Sequence, residues 1–173
     1  HLIDRIARRY NLPLYRTPVG FKYLASLLLQ KKIIFGGEES ASIAFQGHLP
    51  EKDGIYAGLL VAEMVAASGK SLSQLKADFF RIYGRKIDGH WNLQLTPERW
   101  KKLNDLIASR PESFAGRQAC HIETADGIKW DFDNDDWLLI RPSGTEPLIR
   151  IYAEADSSRE LERMFKFALD YFS

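Results

Sequence analysis

The segment WLLIRPSGTEPLIRIYA, residues 137–153, predicts two β-strands joined by a short loop. One arginine ends the first apolar run and another lies in the second. The loop between them carries two hydroxyl residues and a glycine, which lets backbone N–H groups approach an anion closely. Two guanidinium groups beside such a loop can form charge-assisted bonds to phosphate oxygens. We therefore predict a phosphate site, with an ordinary hairpin turn as the alternative. The predicted phosphate-binding residues are Arg141, Ser143, Gly144, Thr145 and Arg150.

The segment FGGEES, residues 35–40, is a second candidate binding loop. The apolar run Ile33–Phe35 before it predicts a buried strand that ends in a glycine turn. Open α/β sheets bind ligands at the carboxyl ends of their strands. Glu38 could accept hydrogen bonds from sugar hydroxyls, and Ser40 could donate or accept them. A solvated acidic loop with a helix cap is the alternative interpretation.

The polar loop GHLPEKDG, residues 47–54, carries a cation and a histidine. Lys52 could contact a phosphate or a sugar oxygen, although a single lysine in a loop is more often simply exposed. His48 could carry a proton because its unperturbed pKa lies near neutrality. A structural role for this histidine is the alternative.

Four motifs in the same order give the chain a resemblance to the α-D-phosphohexomutase family, closest to its phosphoglucomutase and phosphomannomutase branch. These motifs are TPVGFK at 17–22, GEES at 37–40, EKDG at 51–54 and RPSGT at 141–145. Such enzymes interconvert a hexose 1-phosphate and its 6-phosphate through a phosphoserine and a bisphosphorylated sugar. The resemblance implies that the RPSGT loop and Arg150 hold the phosphate that is not reacting. It also implies that Glu38 and Ser40 hold sugar hydroxyls and that Lys52 contacts the substrate.

Two motifs of that family are absent from the sequence. Neither a Thr-Ala-Ser-His-Asn-Pro stretch nor an Asp-Gly-Asp-Gly-Asp run occurs, and these would carry the catalytic serine and the magnesium ligands. We therefore expect most of domain three plus domain four of a larger mutase, without a catalytic residue or a metal ligand of its own. The implied cofactors are Mg²⁺ in the parent enzyme and a hexose 1,6-bisphosphate as intermediate and activator. The implied partners are a hexose phosphate and the missing N-terminal domains, and the fragment alone is expected to be inactive.

The sugar loop departs from the family pattern at two positions. Many relatives have glycine directly after the loop serine, and some have histidine one position further, where this chain has Ala41 and Ser42. Proton transfer by that histidine is therefore excluded here, and Ala41 would alter the backbone if a positive φ is required. This departure leaves a second function open, a non-catalytic module that binds sugar phosphates or another protein. Glucose, mannose and glucosamine phosphates all remain candidate ligands.

The composition is typical of a globular protein that binds neither nucleic acid nor membrane. Of the 173 residues, 45% are hydrophobic and 27% are charged, and the formal net charge is +1. No apolar run reaches the ~20 residues of a membrane helix. Cys120 is the only cysteine, which excludes an intrachain disulfide and a cysteine-based metal site. A cytoplasmic location is expected.

The hydrophobic pattern predicts two domains, residues 1–87 and 88–173. The first is predicted to be an α/β partial domain, a parallel sheet with covering helices; the second is a small α+β domain with a four-stranded antiparallel sheet and two helices. Residues 86–91 are interpreted as a turn-rich boundary, and the acidic run 131–136 as a solvated turn or a cation site. The predicted strands are Leu12–Tyr15, Ile33–Phe35, Ala119–Thr124, Gly127–Phe132, Trp137–Arg141 and Leu148–Ala155. The predicted helices cover 2–9, 20–31, 54–68, 71–84, a segment from Pro97 with Trp100 on its buried stripe, and a segment after Ser157. Gly69 is predicted to stop the third of these helices, and Ser71 and Gln74 form a predicted capping box at the start of the fourth.

Overall fold

The computed structural model describes residues 2–38 and 40–173, which form two compact units, 2–84 and 85–173. The predicted fold class is confirmed: a segment of helices with a small sheet is followed by an α+β domain with an antiparallel sheet. The strand pairing differs from the prediction in both units, as described below.

The unit 2–84 is mainly helical. Its elements are α1 (Leu2–Arg9), α2 (Phe21–Leu29), β1 (Phe35–Gly37), β2 (Ile43–Phe45), α3 (Gly54–Ser68) and α4 (Leu72–Tyr83). Local signals set the helix ends, as the sequence predicts. Helix α3 stops at Gly69, which is left-handed, and α4 begins with a capping box between Ser71 and Gln74.

The strands of this unit pair differently from the predicted parallel sheet. Strands β1 and β2 form an antiparallel hairpin, and the described residues contain no parallel pair. The predicted strand Leu12–Tyr15 is wrong, since these residues form no regular element and are exposed. A strand is stabilised by its neighbours, and Pro13 also lacks the N–H group that a ladder requires.

The core of the unit 2–84 is small. Its buried cluster consists of Phe21, Leu24, Leu28 and Ala44. Neither α3 nor α4 buries a residue fully, and both expose large apolar side chains. Among the described residues no single helix is long and apolar enough to cross a membrane; α3 and α4 meet that test only as a pair, across an 84° bend.

The unit 85–173 is built on one sheet. Its elements are β3 (Ile87–Gln94), α5 (Pro97–Ser109), β4 (Ser113–Phe114), β5 (Arg117–Gln118), β6 (His121–Glu123), β7 (Ile128–Asp131), β8 (Trp137–Pro142), β9 (Leu148–Ala155) and α6 (Ser158–Phe172), with a short 3₁₀ turn at Asp133–Asp135. The sheet has the order β3-β9-β8-β7-β6 with every pair antiparallel, and β4 pairs with β5 in a separate hairpin.

The sheet therefore has five strands rather than the predicted four. The segment interpreted as a turn-rich boundary instead opens β3, which pairs with β9 along its whole length. Gly89, one reason for predicting a turn there, is needed for packing: a Cβ at this position would lie 3.0 Å from the Phe165 ring. A close approach by another element, rather than a turn, explains this glycine.

One face of the sheet packs against the helices α5 and α6. Leu103 and Leu106 of α5, with Met164 and Ala168 of α6, are buried against the inward side chains of the strands. The predicted burial of Trp100 is wrong, since its side chain lies at the surface, 44% exposed. The opposite face of the sheet carries the polar side chains of β8 and β9, including both arginines of the predicted phosphate site.

Candidate functional site

The two arginines of the predicted phosphate site lie directly opposite each other. Arg141 on β8 and Arg150 on β9 are cross-strand partners, in the two strands joined by a short loop that the sequence predicts. The loop between the strands is closed by a hydrogen bond from the Ser143 N–H to the Leu148 carbonyl, at 2.8 Å. Like charges at such positions destabilise a sheet unless an anion lies between or beside them. The carboxylates of Glu146 and Asp126 lie beside Arg150 and Arg141, and a bound anion could offset the same repulsion.

Both guanidinium groups have a buried N–H without an acceptor. The Arg141 side chain is 8% exposed, and its Nη1 lies 3.6 Å from the Asp126 carboxylate. Its guanidinium lies over the Tyr152 ring, 5.8 Å from the centroid. The Nε atoms of Arg141 and Arg150 are buried and have no hydrogen-bond partner among the described residues. An unsatisfied buried donor is costly, so both guanidinium groups are incompletely paired in this arrangement, and a ligand oxygen could reach the buried Nε–H groups only if the side chains moved.

Arg150 is held by an acidic residue of the same loop. Its Nη2 donates to the Glu146 carboxylate at 2.6 Å. Hydrogen bonding to Tyr152, and then to Glu146, raises the pKa of the Arg150 guanidinium above its ordinary value. Arg150 therefore keeps its positive charge at any pH at which a phosphate anion would bind.

The loop itself offers hydroxyl and amide donors. The Thr145 N–H points toward the Ser143 hydroxyl at 3.4 Å, a long contact that leaves both groups available to a ligand. Gly144 and Thr145 are exposed.

Gly127, which the sequence places at the start of a predicted strand, packs against the end of β8 beside Arg141. It has a φ of +85°, and a Cβ here would overlap the Ile140 carbonyl and the Arg141 Cβ. Only glycine therefore fits beside Arg141. Asp126, Gly127 and Glu146 are the residues of this site that sequence reasoning missed.

The predicted sugar loop joins β1 to β2. The Glu38 N–H donates to the Ser42 carbonyl at 2.9 Å, and the Ala41 N–H donates to the Glu38 carbonyl at 3.1 Å. Ser40 Oγ lies 3.0 Å from Ser42 Oγ. Glu39, the other acidic residue of the motif, lies outside the described residues.

The structure brings Glu38 and Lys52 together. The Lys52 Nζ lies 2.9 Å from the Glu38 carboxylate and 5.4 Å from the Phe21 ring centroid. Both side chains retain exposed area, so sugar hydroxyls could bond to each without breaking the pair. Ser40, which is exposed, lies two residues beyond Glu38 in the same loop.

Ala41 has a φ of +63°, in the left-handed region. This is the conformation that glycine adopts without cost and that alanine adopts with strain. The expectation that Ala41 occupies a position suited to glycine therefore has a structural basis.

His48 is fixed by its neighbours. Its Nε2 lies 2.8 Å from one Asp53 carboxylate oxygen, and its ring stacks on Tyr56 with centroids 4.1 Å apart. The other Asp53 oxygen accepts the Tyr56 N–H at 2.9 Å and caps helix α3. The Tyr56 N–H, and then His48, lower the pKa of the Asp53 carboxyl. His48 thus fastens the 47–54 loop to the first turn of α3, which supports its structural interpretation.

The acidic run 131–136 is not wholly solvated. Asp136 is buried and accepts from Lys86 at 2.7 Å and from Arg117 at 2.6 Å. Lys86, at the start of this unit, is itself 2% exposed. These charges form a structural network, and the described residues contain no group of three or more His, Cys, Asp or Glu that could hold a metal.

Comparison with known proteins extends over both units. Residues 1–83 match the sequence profile of phosphoglucomutase/phosphomannomutase, alpha/beta/alpha domain III, and residues 92–170 match that of the C-terminal domain of the same family. The chain is 32% identical to a phosphoglucomutase/phosphomannomutase of Thermococcus kodakarensis, covering 98% of the chain and 35% of that relative. It is 27% identical to a phosphoglucosamine mutase of Acetivibrio thermocellus, covering 93% of the chain and 32% of that relative.

A solved structure has the same fold. The exocytosis-sensitive phosphoprotein pp63/parafusin of Paramecium, a phosphoglucomutase in its open form, is 21% identical with a TM-score of 0.76, covering 98% of this chain and 35% of that one. The chain thus spans about a third of the length of the relatives that it matches.

Proposed function

Because the chain belongs to the phosphoglucomutase/phosphomannomutase family, we propose that it is the substrate-recognition part of a phosphohexomutase. The parent enzyme would interconvert hexose 1-phosphate and hexose 6-phosphate through a phosphoserine and a bisphosphorylated sugar. The hexose would be glucose, mannose or both, with glucosamine, already a candidate from the sequence, as the alternative that the phosphoglucosamine mutase relative supports.

The observation that carries the proposal is the pair of opposed guanidinium groups with unsatisfied N–H donors. Arg141 and Arg150 would each donate guanidinium N–H groups to phosphate oxygens, and a dianion would offset the repulsion between them. Ser143, Gly144 and Thr145 would add hydroxyl and backbone N–H donors from the loop. This phosphate is the one that is not reacting, so its binding energy positions the rest of the substrate.

The sugar would be recognised by the β1–β2 loop. The Glu38 carboxylate would accept hydrogen bonds from hydroxyls, and Ser40 would donate or accept them. Lys52, held 2.9 Å from Glu38, would donate to a sugar or phosphate oxygen. A carboxylate and an ammonium group side by side can serve a hydroxyl as acceptor and donor at once, which suits a sugar presented in either orientation.

The chemical step itself is assigned to residues outside this chain. A phosphoserine would donate the phosphoryl group, a hexose 1,6-bisphosphate would be the intermediate, and Mg²⁺ would neutralise charge on the transferred group. The described residues offer no cluster of metal ligands, so no step is assigned to a metal here. The residues of this chain bind and orient the substrate, and the 173-residue chain alone is expected to show no turnover of glucose 1-phosphate.

One observation favours a second function, a non-catalytic sugar-phosphate-binding module. Ala41 takes a left-handed backbone where many relatives have glycine, and Ser42 follows it. A strained sugar loop would be tolerated more readily in a protein that no longer turns its ligand over.

The test is an amide NMR titration of the chain with glucose 1-phosphate, mannose 6-phosphate, glucosamine 6-phosphate and inorganic phosphate. We expect all four ligands to shift residues 141–150, and only the sugar phosphates to shift residues 38–52. An Arg141→Gln variant should lose the first set of shifts. Phosphate shifts that persist in this variant, or that fall elsewhere in the chain, would refute the phosphate assignment.

A further inference from the structure

Glu146 places a negative charge inside the proposed phosphate loop. Its carboxylate Oε2 lies 2.6 Å from Arg150 Nη2, a charge-assisted hydrogen bond of the type that a phosphate oxygen would make. The Glu146 side chain is 53% exposed, whereas the Arg150 side chain is 27% exposed. The carboxylate therefore approaches a sheltered cation from the solvent side, where a ligand would also enter.

The loop backbone is fixed independently of this ion pair. The Leu148 N–H donates to the Glu146 carbonyl, and the Ser143 N–H donates to the Leu148 carbonyl, both at 2.8 Å. The Glu146 side chain can consequently rotate into water while these bonds stay in place. Arg141 is bound less closely, since its Nη1 lies 3.6 Å from the Asp126 carboxylate.

We propose that Glu146 is a competing internal anion, which occupies Arg150 in the absence of ligand and is displaced when a phosphate binds. The inference depends on the proposed phosphate site. Its effect would be to lower phosphate affinity and speed release. A site that must hold the two ends of one sugar in turn needs rapid release of each phosphate, because the sugar has to reverse its orientation between the two transfers.

The test compares three versions of the full 173-residue chain in calorimetric titrations with inorganic phosphate at fixed pH and ionic strength. Glu146→Gln keeps the shape of the side chain but removes its charge. Glu162→Gln makes the same change of net charge on helix α6, on the other face of the sheet. We expect Glu146→Gln to bind phosphate about tenfold more tightly, the ratio that one lost charged hydrogen bond of modest strength gives. Glu162→Gln should bind as the unchanged chain does.

The outcomes separate this inference from the proposed function. If the unchanged chain binds phosphate and Glu146→Gln binds equally or more weakly, the competing anion is refuted while the phosphate site stands. If the phosphate affinity of both variants rises equally, the change of net charge alone explains the effect and the inference also fails. If none of the three binds phosphate, the site and the inference fail together.

A spectroscopic readout guards against misfolding of the variant. The Arg150 Nε–H resonance should shift in ligand-free Glu146→Gln and remain in place in Glu162→Gln. Amide resonances of residues 85–135 should coincide in all three proteins. An unmoved Arg150 resonance in a correctly folded Glu146→Gln variant would refute the ion pair itself.

Discussion

The two binding loops of this chain are supported very differently. The phosphate loop connects central strands of a five-stranded sheet whose other face is covered by two helices and a continuous buried core. The sugar loop connects two strands of three residues each, beside a cluster of four buried side chains. Sites on rigid, packed elements hold their geometry better than sites on sparsely packed ones. We therefore expect the phosphate site to be preformed and the sugar loop to open at lower free energy.

The largest effect is expected from removing the centre of the large core. Trp130 is fully buried, stacks on Phe114 with centroids 4.3 Å apart and donates to the Pro111 carbonyl at 2.9 Å. Trp130→Ala should lower the free energy of unfolding of this unit by about 3–5 kcal/mol. The four tryptophans all lie in residues 85–173, so their fluorescence in urea follows this unit alone. The matched variant Trp100→Ala, at the surface, should change it by less than about 1 kcal/mol. Equal losses in the two variants would contradict the assigned core.

The buried charge network should give the next largest effect. Asp136→Asn removes the buried negative charge shared by Lys86 and Arg117, and leaves the buried Lys86 ammonium with only the exposed Asp156 carboxylate, at 2.7 Å, as an anionic partner. A loss of about 3 kcal/mol in the free energy of unfolding is expected, again followed by tryptophan fluorescence. Asp133 also pairs with Arg117 but is 73% exposed, so Asp133→Asn should have a much smaller effect. A larger loss in Asp133→Asn than in Asp136→Asn would show that the exposed ion pair stabilises this network more than the buried one does.

Gly127→Ala should reduce both the stability of the unit 85–173 and its affinity for phosphate. The added Cβ would overlap the Ile140 carbonyl and the Arg141 Cβ, at a φ of +85°. We expect a loss of about 2 kcal/mol in the free energy of unfolding and weaker phosphate binding, because Arg141 must move. Gly116→Ala also has a positive φ but no atom within 4 Å of the added Cβ, so it separates backbone strain from the displacement of Arg141. Unchanged phosphate affinity in Gly127→Ala would exclude a supporting role for this turn.

Sequence reasoning recovered what depends on neighbours along the chain. The cap pair Ser71 and Gln74 and the cross-strand arginines Arg141 and Arg150 follow from short spacings, and the structure has both. It missed what depends on distant elements. The prediction of a turn in place of strand β3 was wrong because Gly89 makes room for the Phe165 ring, and Phe165 is 76 positions away in the chain. Ion pairs across loops, such as Lys86 with Asp136, leave no periodic signal, and neither does the approach of Asp126 to Arg141.

Ala41→Gly should raise the free energy of unfolding of the unit 2–84. Alanine at a φ of +63° is strained by about 1–2 kcal/mol, and the greater chain entropy of unfolded glycine offsets part of the gain. A net stabilisation of about 0.5 kcal/mol is expected for residues 2–84, measured from their amide signals in a urea series followed by NMR. The control Ala62→Gly, at an exposed position in the interior of helix α3, should instead destabilise by about 1 kcal/mol. Destabilisation by Ala41→Gly would mean that the loop does not require a left-handed residue at this position.

The smallest expected effect is a pH dependence of the loop that carries Lys52. The pKa of Asp53 is lowered from its ordinary 3.8, chiefly by the Tyr56 N–H and then by His48. A lowered carboxyl pKa means that the ionised group stabilises the folded loop above pH 3.8, and that this contribution is lost as the pH falls through the lower folded value. The Tyr56 amide resonance and its exchange rate should therefore change below pH 3.8, while amides of the large core do not follow the same titration. Asp53→Asn keeps an oxygen that can cap helix α3 but cannot ionise, so this step should vanish in the variant. A step that persists in Asp53→Asn would assign the titration to another carboxyl group. The contacts of Asp53 with His48 and Tyr56 would then not determine how the loop responds to acid.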